Sequence, residues 1–196
     1  MPQRIVGILL FNEVEVLDFA GPFEVFSLTA LPDATKPFVV KTISENGEMI
    51  SARNGLKVIP DSSFDNHPDL DILIVPGGYG AEEIEIHNPK VIQWIKQQQA
   101  TTEITASVCT GAFLLAKAGL LDGKKATTHW MDMERLEQEF PLVSVQHEVK
   151  FVDEGPLITS GGISAGINMS FHLISRLYGN SVSKETAKRM EYDIEW

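Results

Sequence analysis

The stretch Thr105-Ala106-Ser107-Val108-Cys109-Thr110-Gly111-Ala112-Phe113-Leu114-Leu115 carries the only cysteine of the chain between two segments of different pattern. An apolar, strand-like run leads into Cys109, and a run of small and apolar residues typical of a helix follows it. A residue at a tight strand-to-helix turn projects from the carboxyl end of a sheet, which is the geometry of a nucleophile elbow. We therefore expect Cys109 to be a reactive thiol; the alternative is a small apolar residue of the core.

The helix that follows Cys109 predicts how readily its thiol ionises. Backbone N–H groups and the positive end of the helix dipole lower a thiol pKa from its ordinary value of about 8.5. The thiolate is the nucleophilic form, so this position favours reactivity. A single cysteine excludes an intramolecular disulfide and fits a reducing compartment, so we expect a cytoplasmic protein.

Short apolar strands alternate with helical segments along the rest of the chain. Strands are predicted at Ile5–Phe11, Phe38–Ile43, Leu56–Ile59, Asp71–Val75, Glu103–Val108, Val143–Val152 and Pro156–Thr159. Helices are predicted at Pro22–Leu31, Pro89 to about Ala100, Gly111–Ala118, Met131–Phe140, Ala165–Tyr178 and Ser183–Met190. This alternation indicates an α/β fold whose mostly parallel sheet carries helices on both faces. The length of 196 residues favours a single domain over residues 1–196.

Loops at the carboxyl ends of the strands indicate where a ligand would bind. Such folds bind their ligands beyond these strand ends. Three loops have this placement: the Gly77-Gly78 turn, the turn at Cys109 and the Gly161-Gly162 pair. The loop after the first strand carries Glu13, Glu15 and Asp18 toward the same edge. The sequence therefore predicts one site that these loops share.

Asp18 has two interpretations. It lies in Val16-Leu17-Asp18-Phe19-Ala20-Gly21-Pro22, just before the predicted helix, and this spacing alone favours a helix N-cap. The alternative is a carboxyl group directed at the sulfur of Cys109. In that position burial and a neighbouring negative charge raise a carboxyl pKa, which allows proton donation at neutral pH.

The glycines after the Asp71–Val75 strand superficially resemble a dinucleotide-binding loop. Glu82, Glu83 and Glu85 follow them, where a pyrophosphate requires positive charge, and no Gly-Lys-Ser/Thr sequence is present. A better interpretation is that the backbone N–H groups of Gly77-Gly78 approach a developing anion closely. An ordinary strand-to-loop turn is the alternative.

His129, in Ala126-Thr127-Thr128-His129-Trp130, is a candidate partner of the thiol. A Cys–His pair is a common way to activate a thiol, but the ring could equally bond to a backbone carbonyl. The remaining histidines lack metal-ligand spacing, and no second cysteine is present, so we expect no metal. They are His67, His87, His147 and His172.

The charge of the chain limits its partners. A net charge of −11 at pH 7 disfavours binding to nucleic acid and to anionic membranes. No stretch reaches the roughly 20 apolar residues that span a membrane. The first apolar run is followed by Asn12-Glu13 without a small-residue cleavage site, so it indicates a strand and not a signal peptide. We expect a soluble protein that acts on a small molecule.

Five motifs occur in order along almost the whole chain, from about Ile5 to Asp193. They are Leu17-Asp18 before Gly21-Pro22, Val75-Pro76-Gly77-Gly78-Tyr79-Gly80, Ser107-Val108-Cys109-Thr110-Gly111-Ala112, Ala126-Thr127-Thr128-His129-Trp130 and Ser160-Gly161-Gly162-Ile163-Ser164-Ala165-Gly166-Ile167. Together they resemble the ThiJ/PfpI superfamily, which is related to class I glutamine amidotransferases, and within it the bacterial isonitrile hydratases. The resemblance implies a flavodoxin-like three-layer sandwich that is usually a homodimer and needs no cofactor.

The same resemblance implies roles for individual residues. Cys109 would be the nucleophile, Asp18 its acid/base partner and Thr110 the adjacent polar residue of the site. The implied reaction adds water to an isonitrile through a thioimidate on Cys109. The residues expected to bind the substrate or a developing anion are Gly77, Gly78, Thr110, His129 and Gly162.

Two other functions remain open at this point. One is a glyoxalase or deglycase that acts on methylglyoxal-type aldehydes, again through Cys109 but with a larger role for His129. The other is a non-enzymatic sensor, either of thiol oxidation or of a ligand. The chain also resembles the ligand-sensing domain of AraC-type regulators, which need a DNA-binding region, and we expect the segment after Asn180 to be too short for one.

Overall fold

The structure is organised around a mostly parallel sheet of seven strands; the computed structural model describes residues 3–194. The strands of the chain are β1 (Arg4–Leu9), β2 (Phe38–Ser44), β3 (Ile50–Ser51), β4 (Lys57–Val58), β5 (Ser62–Ser63), β6 (Ile72–Val75), β7 (Ile104–Ser107), β8 (Lys125–Ala126), β9 (Ser144–Val145), β10 (Phe151–Asp153) and β11 (Leu157–Ser160). The large sheet has the order β10-β11-β7-β6-β1-β2-β5. The edge strand β10 pairs with β11 in the antiparallel direction, whereas the other neighbours are parallel.

Helices cover both faces of this sheet. They are α1 (Val16–Leu28), α2 (Pro89–Gln99), α3 (Gly111–Lys117), α4 (Met133–Glu139), α5 (Ala165–Tyr178) and α6 (Asn180–Arg189). Helices α1, α5 and α6 pack against one another, and α2 packs against α3. Every residue of the central strands β6, β7 and β11 is buried. Because successive side chains of a strand point to opposite faces, both faces of the sheet are covered. The predicted flavodoxin-like three-layer architecture is confirmed.

Helix α1 differs from its prediction in a way that matters for the site. It begins at Val16, not at Pro22, so Asp18 lies in its first turn and is not its N-cap. Pro22 lies inside the helix, where its missing N–H leaves the carbonyl of Asp18 without its usual helical partner. The proline was misleading as a signal of the helix start, because Pro22 is accommodated inside the helix.

Two other boundaries differ from the sequence-based expectation. The alternating segment Val143–Val152 contains only the short strands β9 and β10, because Glu148 between them has a left-handed backbone (φ 56°) that interrupts an extended chain. The last helix begins at Asn180, and the hydroxyl of Ser183 donates to the carbonyl of Phe171 instead of capping it. Helix α5 has its predicted bounds.

The ends of β6 and β7 approach each other closely at the predicted elbow. The N–H of Val108 donates to the carbonyl oxygen of Val75 at 3.0 Å. A Cβ atom on Gly111 would lie 2.1 Å from the same oxygen. Glycine is therefore required at the first residue of α3, and the helix starts directly against the end of β6. None of the helices within residues 3–194 is long and apolar enough to cross a membrane.

Substitution Gly111→Ala should destabilise the fold strongly, because the added methyl group meets backbone that cannot move aside. We expect a loss of about 3 kcal/mol in the free energy of unfolding, measured by urea denaturation. Gly161→Ala is the matched control, since its Cβ atom would lie no closer than 3.5 Å to a neighbour. Equal losses in the two variants would contradict the steric account.

Candidate active site

Cys109 is held in a strained backbone conformation at the carboxyl end of β7. Its φ angle is 56°, in the left-handed region that side chains other than glycine seldom adopt. Its N–H donates to the carbonyl of Gly161 at 3.1 Å, and its own carbonyl accepts from the hydroxyl of Thr128 at 2.9 Å. These two bonds hold the elbow from both sides.

The sulfur of Cys109 lies in a nearly closed environment, and the residue is only 6% exposed. The backbone N–H groups of Thr110 and Ile163 both interact with the sulfur and favour its negative charge. Ile163 provides its N–H from a left-handed conformation (φ 49°), which is unusual for a β-branched residue. The sequence did not single out Ile163, because nothing in its residue type indicates this conformation.

Asp18 lies fully buried next to this thiol. Its Oδ2 atom accepts a hydrogen bond of 2.9 Å from the N–H of Gly77. In the described part of the chain, its Oδ1 atom is buried without a hydrogen-bond partner of normal geometry. The carboxyl group is nevertheless close enough to Cys109 for their interaction to shift its pKa. The structure thus brings Asp18 and Cys109 together, as the second interpretation of Asp18 required.

The two groups share an environment that disfavours negative charge. Burial raises the pKa of Asp18 to about 7, the N–H of Gly77 opposes this rise, and the charge of Glu15 adds to it. Burial, followed by the charge of Asp18, raises the pKa of the Cys109 thiol. The prediction of a lowered thiol pKa is therefore wrong, because the N–H groups at the helix start contribute less than burial does. Near neutral pH the pair holds a single proton between sulfur and carboxylate.

The predicted anion-binding glycines have other partners here. The N–H of Gly77 donates to Asp18, and the N–H of Gly78 donates to the Thr110 hydroxyl at 2.9 Å. The Thr110 hydroxyl also lies 3.4 Å from the carbonyl oxygen of Gly78. Both glycines therefore position side chains of the site through their N–H groups.

His129 borders the site without bonding to the thiol. Its ring packs against Gly162, where a Cβ atom would lie 2.1 Å from the ring. Its Nδ1 atom lies 3.4 Å from the N–H of Met131 and 3.5 Å from Asp132 Oδ2. None of the hydrogen bonds found within residues 3–194 joins His129 to Cys109. The structure therefore gives His129 a place in the wall of the site.

A cleft of about 350 Å³ opens onto Cys109. Of the residues that form its walls, the sequence had placed Glu15, Gly78, Cys109, Thr110 and His129 in the site or at its edge. The other residues lining the cleft are Arg53, Tyr79, Glu82, Met131, Asp132 and Ile163. These come from loops far apart in the sequence, so no local pattern could have grouped them. Among the described residues, no cluster of three or more His, Cys, Asp or Glu side chains could hold a metal ion.

Comparison with known proteins places this site in a family. Residues 4–176 match the DJ-1/PfpI family, also described as the ThiJ/PfpI superfamily. The chain belongs to the DJ-1/PfpI family. The resemblance inferred from the sequence motifs is thereby confirmed.

Relatives within this family carry different names and functions. The chain is 35% identical to isonitrile hydratase of Pseudomonas putida over 187 residues, which cover 95% of this chain and 78% of that protein. It is 29% identical to the HTH-type transcriptional regulator GbdR of Pseudomonas aeruginosa, covering 98% of this chain and 51% of the regulator.

Solved structures share the fold at lower sequence identity. A ThiJ/PfpI family protein from Pseudomonas syringae superposes with a TM-score of 0.88 at 24% identity, covering all of this chain and 78% of that one. Drosophila melanogaster DJ-1beta superposes with a TM-score of 0.82 at 20% identity, covering 98% of this chain and 100% of that one. At these identities the superpositions establish the fold alone.

The raised pKa of Asp18 predicts a pH-dependent loss of stability. The unfolded chain loses this proton near the ordinary carboxyl pKa of about 4, whereas the folded chain keeps it until about pH 7. The free energy of unfolding therefore falls as the pH rises from about 4 to 7. The substitution Asp18→Asn removes this effect. The free energy of unfolding of the variant should therefore rise relative to that of the wild type by on the order of 2 kcal/mol between pH 5 and pH 8.

Urea denaturation of both proteins at the two pH values measures this difference. Asp61→Asn is the control. Burial raises the pKa of Asp61, but hydrogen bonds from the backbone N–H and hydroxyl of Thr42 hold this pKa below its usual value. Both pH values lie above that pKa, so the penalty of this substitution should not change between them. A pH-independent difference for Asp18→Asn would contradict the raised pKa.

Proposed function

We propose that this chain is an isonitrile hydratase-like enzyme, which adds water to R–N≡C and releases the N-substituted formamide R–NH–CHO. The observation that carries the proposal is the buried pair of Asp18 and Cys109, in which a soft nucleophile and a carboxyl group share one proton. The named relative from Pseudomonas putida supports the same reaction.

The terminal carbon of an isonitrile explains why this pair is suitable. That carbon accepts a nucleophile and then carries a lone pair that must be protonated. The reaction therefore requires one nucleophile and one proton donor at the same atom, and the donor must recover its proton in each cycle. Asp18 and Cys109 provide both groups within one buried space.

In the first half of the reaction, the proton of the pair resides on Asp18 and the sulfur of Cys109 attacks the terminal carbon. The new S–C bond leaves a lone pair on that carbon, which takes the proton from Asp18. The product is the thioimidate R–N=CH–S–Cys109, and Asp18 is left as a carboxylate. The N–H groups of Thr110 and Ile163 stabilise the thiolate before it attacks.

In the second half, water attacks the thioimidate carbon and transfers one proton to the Asp18 carboxylate. The resulting R–N⁻–CH(OH)–S–Cys109 collapses to R–N=CH–OH, and the C–S bond breaks to release the Cys109 thiolate. The released molecule tautomerises to the formamide, while Asp18 is again protonated. The N–H groups of Thr110 and Ile163 then receive the leaving sulfur. No electron donor or acceptor is required.

The other predicted site residues take supporting roles in this proposal. Gly77 orients the Asp18 carboxyl group through its N–H, and Gly78 fixes the Thr110 hydroxyl next to the elbow. His129 forms part of the wall of the substrate cleft, and Gly162 packs against its ring. The resemblance also predicts a homodimer without a cofactor, and the single cysteine predicts a cytoplasmic location; these stay predictions.

Formamide production from a simple isonitrile such as cyclohexyl isocyanide tests the proposal. We expect turnover by the wild type, none above background by Cys109→Ala, and a rate about 10²- to 10⁴-fold lower for Asp18→Asn, which cannot supply the proton. Asp61→Asn removes a carboxyl group outside the cleft and should keep the wild-type rate. A wild type without turnover, or an active Cys109→Ala variant, would refute the mechanism.

The shared proton also predicts the pH profile. Below about pH 7 the pair takes up a second proton, and the thiol can then no longer pass its proton to Asp18. We expect kcat/KM, corrected for the uncatalysed reaction, to fall about tenfold per unit at acidic pH and to level off above pH 7. The step near pH 7 should be absent from the residual activity of Asp18→Asn. A profile that falls as the pH rises through 7 would contradict this assignment.

The same preparations separate the two other functions. A glyoxalase would produce lactate from methylglyoxal in a reaction that depends on Cys109. A redox sensor would oxidise reversibly at Cys109 without turnover.

A further inference from the structure

The cleft that leads to Cys109 has a strongly unequal distribution of charge. Three carboxyl side chains line it, those of Glu15, Glu82 and Asp132, against the single guanidinium group of Arg53. The carboxyl group of Asp18 is buried next to the sulfur. A cleft with carboxylates along its walls concentrates a negative potential.

The positive charge of Arg53 is already compensated. Its Nη1 atom forms an ion pair of 2.7 Å with Glu13, and its guanidinium group lies over the ring of Tyr79 at 5.7 Å from the centroid. An anionic substrate would have to compete with Glu13 for this cation. The charge of Arg53 therefore does not balance the negative charge of the carboxyl groups in the cleft.

Arg135, which contacts Glu82 but does not line the cleft, is committed in the same way. Arg135 forms ion pairs with Glu83 at 3.0 Å and with Glu139 at 2.8 Å. Its remaining contact with Glu82 goes to the backbone carbonyl at 3.2 Å. Within the described residues, the buried Oε2 atom of Glu82 has no hydrogen-bond partner. Apart from the contact of Asp132 with His129 at 3.5 Å, the carboxyl side of the cleft keeps its negative character.

Ionisable groups of the site respond to this field. Besides burial, the charge of Glu15 raises the pKa of Asp18. Burial and then the charge of Asp18 raise the pKa of Cys109, to which Asp132 adds. Burial followed by Asp132 raises the pKa of Glu82. Two wall carboxylates therefore act on groups at different depths of the cleft.

We propose that the cleft admits uncharged or cationic molecules to Cys109 and excludes anionic ones. Its substrates are then isonitriles whose R group is neutral or carries an ammonium group, and carboxylated isonitriles are poor substrates; this second statement rests on the proposed function. The exposed side chains of Met131 and Ile163 offer apolar contact to a neutral R group. The ring of Tyr79, which already faces the cation of Arg53, is half exposed and suits an ammonium group.

Alkylation of Cys109 measures this selectivity without any turnover. Iodoacetamide and iodoacetate are nearly the same size, but only the second is an anion. We divide the alkylation rate with iodoacetamide by the rate with iodoacetate at Cys109, and compare this ratio with the same ratio for a small neutral thiol, 2-mercaptoethanol. At low ionic strength the ratio should be at least about tenfold larger for the protein than for 2-mercaptoethanol. Added salt should reduce this difference. Because the ratio is taken at one sulfur, its intrinsic reactivity cancels.

Two variants that lose the same formal charge locate the source of the effect. Glu15→Gln removes a carboxylate from the cleft wall and should reduce the discrimination at least about threefold. Glu185→Gln removes one from an exposed position on α6, outside the cleft lining, and should leave it unchanged. The proposal would be overturned if wild-type Cys109 disfavours iodoacetate no more than 2-mercaptoethanol does. It would also be overturned if both variants change this preference equally.

Matched substrates extend the test to the reaction. Methyl isocyanoacetate is neutral, and isocyanoacetate is the carboxylate anion of the parent acid. We expect kcat/KM to favour the ester at least about tenfold and Glu15→Gln to reduce this difference. Equal use of both would refute the substrate class even if hydration itself is observed. If neither is hydrated, the proposed function fails, whereas the alkylation ratios still decide whether the cleft excludes anions.

Discussion

A carboxyl group and a thiol buried side by side cannot both carry negative charge at low cost, and the rest of the site is arranged around this constraint. Gly77 binds one oxygen of Asp18 and thereby orients the other toward the sulfur. The N–H groups of Thr110 and Ile163 approach the sulfur from the opposite loops. The pair therefore holds one proton near neutral pH. In the proposed reaction this proton passes from the sulfur to Asp18 and then to the substrate carbon.

This arrangement has a cost in stability, and the fold around it is correspondingly rigid. Cys109 and Ile163 both have left-handed backbones, and Gly111 lies against the end of β6 with no room for a side chain. The elbow is held by hydrogen bonds to Gly161 and Thr128. Central strands buried on both faces provide the packing that keeps these conformations in place.

Local sequence patterns predicted the parts of the protein that local physics controls. The helices after Cys109 and Gly162, the central strands and the elbow follow from apolar periodicity and small residues. The start of α1 and the pKa of Cys109 could not be predicted in this way. The helix begins six residues before the proline that was expected to open it, and the pKa of Cys109 is set by burial, which is a tertiary property. Ile163 was missed because its role lies in a backbone N–H that any residue type could provide.

Mass spectrometry of the protein after rapid mixing with an isonitrile and quenching in denaturant tests the central claim most directly. Attack by Cys109 is an addition without a leaving group, so the intermediate weighs the protein plus one whole isonitrile molecule. We predict this gain on the peptide that contains Cys109, at a level that decays as formamide appears. Formamide production with no such adduct at any time, or with the adduct on another residue, would contradict the account.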